Sequence, residues 1–463
     1  MQSTSASVIE PLISPQPSHD LVGRIMALLR WDQRSLARVD EHAHQGPRRK
    51  IERWQLIVAM VAHALPFAGR FSQCVRQCFG MKISDSALSQ RRARLGADLF
   101  LLIMQEALRP LADPQLHPGC FFAGLRLVGI DGTRWSVCNT PQHRARITKA
   151  KTRRGDAAFA KINMSALVEL GTHAPLAATL GIDAQSEHVL SLPLLAALPE
   201  ESLLILDRLY GQAPMLEQLQ SHCQQGKGQH FLTRVRGKLA VKIIETRVDG
   251  SALVELALRD KIKKRLVLKT LRVREVRGRV WHRAAKKWIE VRLWTSLGVE
   301  QANARELLAL YARRWEQEVF YRELKLQVAG GELLQSHTPE SAQQEIAALL
   351  MAGSLLAEER LAVAAQVGGE VEAAGAVRIS LSICMELMQA LWLVLGSSQG
   401  LMNEAAQREL VRRMRAQIAA CALAPRRARS CQRKVRQPVN KWPRMITPSS
   451  LESPPLYDVT IIA

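Results

Sequence analysis

The spacing of apolar positions changes twice along this chain, and the changes divide it into segments. From about residue 20 to 112, apolar side chains recur at helical spacing with little strand character. From about 119, the runs LRLVGIDGTRWSV, MSALVEL, PLAATLGI and ESLLILDRLYG are typical of strands, and HVLSLPLLAAL is typical of a helix. Strands mixed with helices predict an α/β core.

A third pattern runs from 231 to 296, where basic, β-rich segments are joined by turns such as Asp249-Gly250. After about 300 the pattern is helical again, through about 423. We therefore expect a polar leader 1–18, an all-α N-terminal domain 19–118, the first part of an α/β core 119–230, a β-rich insertion 231–296, the second part of the core with C-terminal helices 297–425, and a basic tail 426–463.

Positive charge is concentrated in one of these segments. The 463 residues include 64 Lys and Arg against 42 Asp and Glu, a formal net charge of +22. Segment 231–296 alone holds 19 Lys and Arg against 6 Asp and Glu. Such localisation favours a polyanionic partner, most simply nucleic acid, over a protein that is merely basic.

Cysteine usage and hydropathy favour a cytoplasmic protein with no membrane partner. The eight cysteines form no CxxC pair and no zinc-binding spacing, as expected for free thiols in a reducing compartment. The N-terminus lacks the basic and apolar regions of a secretory signal. The apolar run from Ile57 to Leu65 is too short to span a bilayer, and the run from Ile379 to Leu395 contains polar residues, so we expect buried helices.

One stretch, YARRWEQEVFYRELK, predicts a helix with a stripe of functional side chains. At about 100° per residue, Tyr311, Arg314, Glu318 and Lys325 project within an arc of about 60°, whereas the neighbouring acid Glu316 projects to the other side. One face therefore presents hydrogen-bond donors and cations around a single carboxylate. That arrangement suits a surface that follows a phosphate backbone and holds a metal ion.

Two further carboxylates share a context that suits a site at the end of a sheet. Asp131 and Asp207 each follow an apolar strand and precede polar or turn residues. A single Asp in such a position is more often a turn or helix cap. In a phosphate-binding protein, however, a cluster of these two aspartates with Glu318 is favourable only when a divalent cation lies between the carboxylates. Hard oxygen ligands of this kind select Mg²⁺ or Mn²⁺. Two such ions activate a water or a 3′-hydroxyl and stabilise the leaving oxygen of an in-line displacement.

A short basic helix is a candidate DNA-contacting element in the N-terminal segment. In ISDSALSQRRARLG, Ser84 is a candidate N-cap, and Arg91, Arg92 and Arg94 follow in the second half of the helix. This pattern is equally consistent with a helix that contacts DNA and with a solvated basic face.

These residues resemble a known family. The pattern Tyr311-x2-Arg314-x3-Glu318-x6-Lys325 resembles the Y-(2)-R-(3)-E-(6)-K signature of the insertion-sequence-four family of DDE transposases. IDGT at 130–133, followed by NTP, resembles the region of the first catalytic Asp in that family, and LDRLYG at 206–211 that of the second. The helical start and the closing RKVRQPVNKWPR are also similar to members of the family, so the resemblance covers nearly the whole chain.

The resemblance implies a fold, an activity and a cofactor. The fold would be a ribonuclease-H-like core with a β-rich insertion between the second Asp and the Glu. The activity would be metal-dependent strand cleavage and strand transfer in cut-and-paste transposition, on nucleoid DNA in the bacterial cytoplasm. Asp131, Asp207 and Glu318 would bind two Mg²⁺ or Mn²⁺ ions per active site, and Tyr311 and Arg314, with Lys325, would grip the phosphates of the transposon ends.

The resemblance also implies partners. They are double-stranded DNA, as terminal inverted repeats and as target, and a second copy of the chain in a synaptic homodimer. A hairpin intermediate would need a flipped base held by stacking, for which Trp288 and Trp294 are candidates, although a strand Trp more often packs in a core. The apolar residues of segment 376–423 would cover either the sheet or a dimer partner.

Two other functions compete with this one. A catalytically inactive DNA-binding protein on a transposase scaffold would have lost at least one of the three acids, and all three are present. A different ribonuclease-H-like nuclease would lack the helical N-terminal segment and the long insertion.

Overall fold

A computed structural model describes residues 19–30, 50–65, 69–152, 155–182, 185–235, 239–259, 267–282, 286–398 and 401–424, and the short pieces 433–434, 444–445 and 459–461. The leader 1–18 and most of the basic tail 426–463 lie outside the described residues.

The described strands are β1 (Phe121–Phe122), β2 (Leu125–Ser136), β3 (Lys151–Thr152), β4 (Gly155–Asp156), β5 (Lys161–Glu169), β6 (Ala174–Gly181), β7 (Ser202–Gly211), β8 (His230–Val235), β9 (Lys242–Thr246), β10 (Ala252–Arg259), β11 (Val267–His282), β12 (Lys287–Thr295), β13 (Arg433–Lys434), β14 (Arg444–Met445) and β15 (Val459–Ile461). The described α-helices are α1 (Leu21–Leu29), α2 (Arg53–Ala64), α3 (Phe71–Phe79), α4 (Asp85–Leu95), α5 (Ala97–Ala107), α6 (Pro141–Arg146), α7 (Glu187–Ser191), α8 (Ala213–Cys223), α9 (Ala304–Leu310), α10 (Trp315–Arg322), α11 (Pro339–Val367), α12 (Gly369–Ala373), α13 (Leu381–Ser397) and α14 (Glu404–Ala419).

A mixed sheet in the order β6-β5-β2-β7-β8-β12-β11-β10-β9 runs through the molecule. β2 pairs antiparallel with β5 and parallel with β7, which in turn pairs parallel with β8. The register Gly129↔Ile205 lies at the end of the β2–β7 pairing. Asp131 and Asp207, each two residues further on, therefore lie at the same level of neighbouring parallel strands. The α/β core expected from the sequence is confirmed.

The basic insertion extends this sheet. The β-rich segments expected between 231 and 296 form the strands β8 to β12. The first of them, β8, belongs to the core, because it pairs with β7; β12 then pairs antiparallel with β8, and β11, β10 and β9 follow outward. β15 pairs with β11 at Gly278 to Val280. The alternation of apolar residues in a strand indicates which of its faces is buried, but it does not indicate which strand it pairs with. The sequence therefore did not predict that β9 to β12 continue the sheet of the core.

Helices from both ends of the chain share one hydrophobic core. α11 is buried along nearly its whole length, since it is apolar on all sides, and it packs against α2, α5 and α14. Ile57 and Phe100 of the N-terminal helices lie in the same cluster as Leu350 of α11 and Trp392 of α13. The expected all-α segment 19–118 is helical, but its core is continuous with that of the C-terminal helices.

The apolar residues of segment 376–423 cover the chain's own core. The apolar residues of this segment that are buried in the shared cluster include Ile379, Leu381, Met388, Leu391 and Trp392. They are therefore not available as a dimer surface, and the exposed large apolar residues in the described part of this segment are Leu393, Val394, Leu401 and Leu423.

Within the described part of the chain, no helix is long and apolar enough to cross a membrane. The described cysteines are all free thiols, as expected.

Candidate active site

The two strand-end aspartates are held by their own local contacts. Asp207 Oδ1 accepts a hydrogen bond from the Leu209 amide at 2.6 Å, and the hydroxyl of Thr233 in β8 donates to the Asp207 carbonyl at 3.2 Å. The hydroxyl of Tyr321 in α10 donates to the Asp131 carbonyl. Helix α10 is thereby tied to β2 at the level of the first aspartate.

Arg314 connects the third acid to the first. Its guanidinium donates to Glu318 Oε1, and Arg314 Nη1 lies 3.8 Å from Asp131 Oδ2. Burial alone would lower the pKa of Arg314, but the hydrogen bond to Glu318 and the surrounding acidic groups together outweigh burial and raise it. Arg314 is therefore a fixed cation between two of the expected catalytic carboxylates, and Glu318 is turned toward it.

A fourth carboxylate, Glu187, also lies in this site, and sequence reasoning missed it. Glu187 Oε1 accepts hydrogen bonds from the Gly132 amide at 3.1 Å and from the Tyr210 hydroxyl at 2.9 Å. Its only signal in the sequence is an acid directly after the N-cap Ser186 of α7, which is usual at the start of any helix.

The site carries excess negative charge. Burial raises the pKa of Asp131, and the neighbouring carboxylates of Glu187 and Asp207 raise it further; the Gly132 amide and Arg314 oppose this, and the result is about 7. Half-buried oxygen donors of like charge fit a hard divalent cation, which would relieve their repulsion. Among the described residues, no three acidic, His or Cys side chains are already close enough to ligate one metal ion. The donor set fits such an ion, and its members would have to draw together around it.

The signature stretch is helical, but the expectation of one uniform α-helix is wrong. Tyr311–Arg314 is a 3₁₀ turn, Trp315–Arg322 is α-helical as α10, and Glu323–Val328 winds as a π-helix. The angular positions read from a uniform 100° step are therefore approximate. Burial raises the pKa of Tyr311 to about 12, in a half-buried position close to Arg314, Asp207 and Asp131.

Lys325 is less accessible than the sequence stripe indicates. Its side chain donates to the Arg134 carbonyl at 2.7 Å, lies 5.4 Å from the Trp135 ring centroid and 3.8 Å from Glu332, and the residue is only 9% exposed. Burial lowers the pKa of Lys325. In this state the ammonium anchors the π-helical turn to β2.

The opposite side of the same stretch is bonded to the core, as the helical projection indicates. Glu316 Oε2 lies 2.9 Å from His173 Nε2, and Glu323 Oε2 lies 2.7 Å from His173 Nδ1. Arg360 of α11 pairs with Glu323 at 3.2 Å. This buried network fixes the rotation of the helix that carries Glu318.

The three arginines of α4 have different surroundings. Ser84 caps the helix as expected, since its hydroxyl accepts from the Ala87 amide at 3.3 Å. Arg92 donates to Gln344 Oε1, Ser336 Oγ and the Ser341 carbonyl, so its guanidinium is used inside the protein. Arg91 donates to the Ile51 carbonyl at 3.2 Å and is half-buried, whereas Arg94 is exposed.

The two candidate stacking tryptophans also differ. Trp294 is fully buried and donates its indole N–H to Glu275 at 2.9 Å, so it cannot stack on a base, and this expectation is wrong. Trp288 is 47% exposed, with its ring 5.4 Å from that of Trp281. Trp315, beside Arg314, is a further exposed ring that sequence reasoning did not single out.

A strongly basic α/β protein with paired strand-end aspartates and a helical Glu belongs to the class of phosphoryl-transfer enzymes that act on nucleic acid. The family model described as "Transposase DDE domain" matches residues 123–355, which is just over half of the chain. The chain therefore belongs to the DDE transposase family.

Two relatives agree with this assignment. The chain is 25% identical over 371 residues, 78% of each chain, to "Transposase InsG for insertion sequence element IS4" of Escherichia coli strain K12. It is 28% identical over 239 residues to InsZ of the same strain, a protein named as a transposase, covering 50% of this chain and 77% of InsZ. Among solved structures, a chain of the piggyBac transposase synaptic complex with hairpin DNA aligns with this chain at a TM-score of 0.39 and 10% sequence identity. The alignment covers 88% of this chain and 83% of the piggyBac chain.

The resemblance to the insertion-sequence-four family is thus confirmed, and the function is that of a DNA transposase, an enzyme that cleaves and rejoins DNA strands. Nothing favours the inactive alternative. The chain is helical before the sheet and forms strands β9 to β12 between Asp207 and Glu318, as expected for the transposase and not for the competing nuclease.

Proposed function

We propose that Asp131, Asp207 and Glu318 form the catalytic centre of this transposase. The observation that carries the proposal is the placement of these acids: two of them lie at the same level of neighbouring parallel strands, and Arg314 connects the first to Glu318. Clustered carboxylates in a protein of this charge serve phosphoryl transfer when a divalent cation neutralises them.

We infer that the core is ribonuclease-H-like. In chain order its five strands are β2, β5, β6, β7 and β8, and in space they lie in the order third, second, first, fourth, fifth. The first three are antiparallel, and the last two run parallel to the first. This topology supports the fold that the family resemblance implies. β9 to β12 would then be the insertion between Asp207 and Glu318.

The three acids would hold the metal, which we propose to be two Mg²⁺ or Mn²⁺ ions. When bound, such ions lower the pKa of a water or 3′-hydroxyl and stabilise the leaving oxygen. The chain's own residues orient the substrate. Arg314 would exchange its bond to Glu318 for a DNA phosphate, which frees the carboxylate. Tyr311 would donate its hydroxyl hydrogen bond to the same backbone, and its high pKa keeps it protonated.

DNA contacts would come from exposed cations at two places. In the N-terminal helices these are Arg76, Lys82 and Arg94, and in the insertion they include Lys242, Lys269, Arg272, Arg279 and Lys287. Phosphate contacts by such residues set affinity and salt dependence, as expected for recognition of terminal repeats and target DNA. Trp288 remains the candidate in the insertion for stacking on a flipped base. Two copies of the chain would hold the paired ends.

Isosteric substitutions test the catalytic centre. Asp131→Asn, Asp207→Asn and Glu318→Gln should each lower the rate of end cleavage by at least about 10²-fold, because each removes charge stabilisation without removing volume. Binding of the transposon end, measured by fluorescence anisotropy, should persist. Glu200→Gln, an equal charge change at an exposed position, is the control. A variant of the three that cuts at the wild-type rate would show that its residue is outside the catalytic centre.

A further inference from the structure

Glu187 lies in the active site outside the catalytic triad and outside the signature. We propose that Glu187 is a positioning residue for the divalent-cation site: it fixes the backbone that follows Asp131 and adds a fourth negative charge to the site. The inference rests on the proposed function of Asp131, Asp207 and Glu318 as cation ligands.

The backbone around Glu187 is shaped to admit its carboxylate. A Cβ atom on Gly132 would lie 2.5 Å from Glu187 Oε2, so a side chain at residue 132 would displace the carboxylate. The Gly132 amide donates to Glu187 Oε1 at 3.1 Å and also to Asp131 Oδ1 at 2.8 Å. One amide thus orients the two carboxylates together.

A second set of contacts fixes Glu187 from the neighbouring strand. The Tyr210 hydroxyl of β7 bonds Glu187 at 2.9 Å and Ser191 Oγ at 2.8 Å. Ser191 Oγ lies 2.7 Å from Ser165 Oγ, and the Ser165 hydroxyl donates to the Asp131 carbonyl at 3.3 Å. This chain of hydroxyls connects Glu187 to the strand that carries Asp131 and to the strand that carries Asp207.

The donors that hold Glu187 are neutral. Among the described ion pairs none involves Glu187, although a second carboxylate, Asp131, shares its hydrogen-bond donor. A residue that served only to cap the turn could be a neutral Gln or Asn, since an amide oxygen accepts the same two hydrogen bonds. Two neighbouring carboxylates, such as those of Glu187 and Asp131, repel each other unless a cation is bound between them. Groups that support metal ligands in this way tune the affinity for the metal.

The experiment measures cation affinity directly, with Mn²⁺ as the probe. Glu187→Gln keeps both hydrogen bonds and removes the charge. Free Mn²⁺ is followed by electron paramagnetic resonance in the full-length protein without DNA, for wild type, Glu187→Gln, Asp131→Asn and the exposed control Glu200→Gln. We expect Glu187→Gln to weaken Mn²⁺ binding by about 10–100-fold without changing the melting temperature of the protein. The control Glu200→Gln should bind Mn²⁺ with wild-type affinity. The cleavage rate of Glu187→Gln should return to the wild-type value at saturating Mn²⁺.

Two results overturn the inference. The first is wild-type Mn²⁺ affinity in Glu187→Gln together with weakened binding in Asp131→Asn, which leaves the proposed function standing. The second is weakened binding with a rate that stays low at saturating Mn²⁺, which would make Glu187 a participant in the reaction itself. If Asp131→Asn also binds Mn²⁺ as wild type does, the proposed cation site is wrong. Should Glu187→Gln fail to fold, Glu187→Asp, which retains the charge, must bind Mn²⁺ more tightly than Glu187→Ala, and equal affinities would reject the inference.

Discussion

Individual residues differ in how far their sequence context discloses their role. Asp131 and Asp207 stand out because an apolar strand ends at each, and Glu318 because it is a lone acid in a basic helical stripe. Glu187 has no comparable context, since its partners Gly132 and Tyr210 are 55 and 23 residues away. The proposed catalytic residues carry their signal in the local pattern, whereas Glu187, which sequence reasoning missed, depends on a tertiary contact.

His173 provides a pH-dependent prediction at this scale. Burial alone would lower its pKa, but the carboxylates of Glu323 and Glu316 outweigh burial and raise it. A His whose pKa is raised on folding contributes stability that is fully present below about pH 6.5, its value in an unfolded chain, and that is lost as pH rises through the folded-state pKa. His173→Asn should therefore lower the free energy of unfolding by about 3 kcal/mol at pH 5.5 and by less at pH 9.

Asn is the appropriate replacement because His173 has a left-handed backbone with φ of 58°, which Asn tolerates. Urea denaturation between pH 5.5 and 9 gives the difference, with His337→Asn as the control at an exposed position. If the difference in the free energy of unfolding between wild type and His173→Asn does not change with pH, the network stabilises the fold without a charge on the imidazole.

Secondary-structure elements were predicted well where the spacing of apolar residues stays constant. They were predicted less well where a helix changes its winding or where a strand pairs with a distant partner. The capped helix α4 and the strands of the insertion follow directly from caps, turns and alternation. The change from 3₁₀ to α to π winding between Tyr311 and Val328 does not follow, because no Gly or Pro marks it. Within the π-helical segment, Lys325 bonds to β2 and Glu323 pairs with Arg360. Both are tertiary contacts, which the local sequence does not indicate.

Helix α4 carries a matched pair of arginines that separates packing from DNA binding. Arg92→Met should lower the free energy of unfolding by about 1.5–3 kcal/mol, because it removes charged hydrogen bonds to three groups near the start of α11. Arg94→Ala should change stability by less than about 0.5 kcal/mol. It should instead reduce the slope of log K against log salt for the transposon end by about 1.

The measurements are urea denaturation and a salt titration of end binding, each on both variants. A flattened salt slope in Arg92→Met at unchanged stability would assign Arg92 to the DNA. An unchanged slope and affinity in Arg94→Ala would leave this helix as a solvated basic face.

At the scale of the whole molecule, the sequence indicates the segments and not how they join. The helical ends form one core and the basic β-rich segment continues the central sheet, because α11 packs on elements from both halves of the chain and β12 returns to β8. Such pairings between distant segments leave no periodic trace in the sequence. The same limit applies to assembly: most of the apolar residues read as a possible dimer surface are buried in the chain's own core.

Assembly on DNA is therefore expected to depend on the DNA itself. A net charge of +22 makes two free copies repel each other, and paired transposon ends supply the negative charge that offsets this repulsion. We expect two copies on two paired ends, with the copy bound at one end supplying the acids that cut the other.

A mixing experiment tests this arrangement. One protein is Asp131→Asn, which binds ends and does not cut. The other combines Arg76→Glu, Lys82→Glu and Arg94→Glu, which reverses three exposed charges of the N-terminal helices and retains all three acids. Each alone should fail to cleave, the first for lack of a carboxylate and the second for lack of affinity, since each lost phosphate contact weakens binding. The mixture should cleave, and most at equal proportions, with synapsis followed by native gel shift. Absence of cleavage at every ratio, with both proteins present in the paired complex, would show that each copy cuts the end to which it is bound.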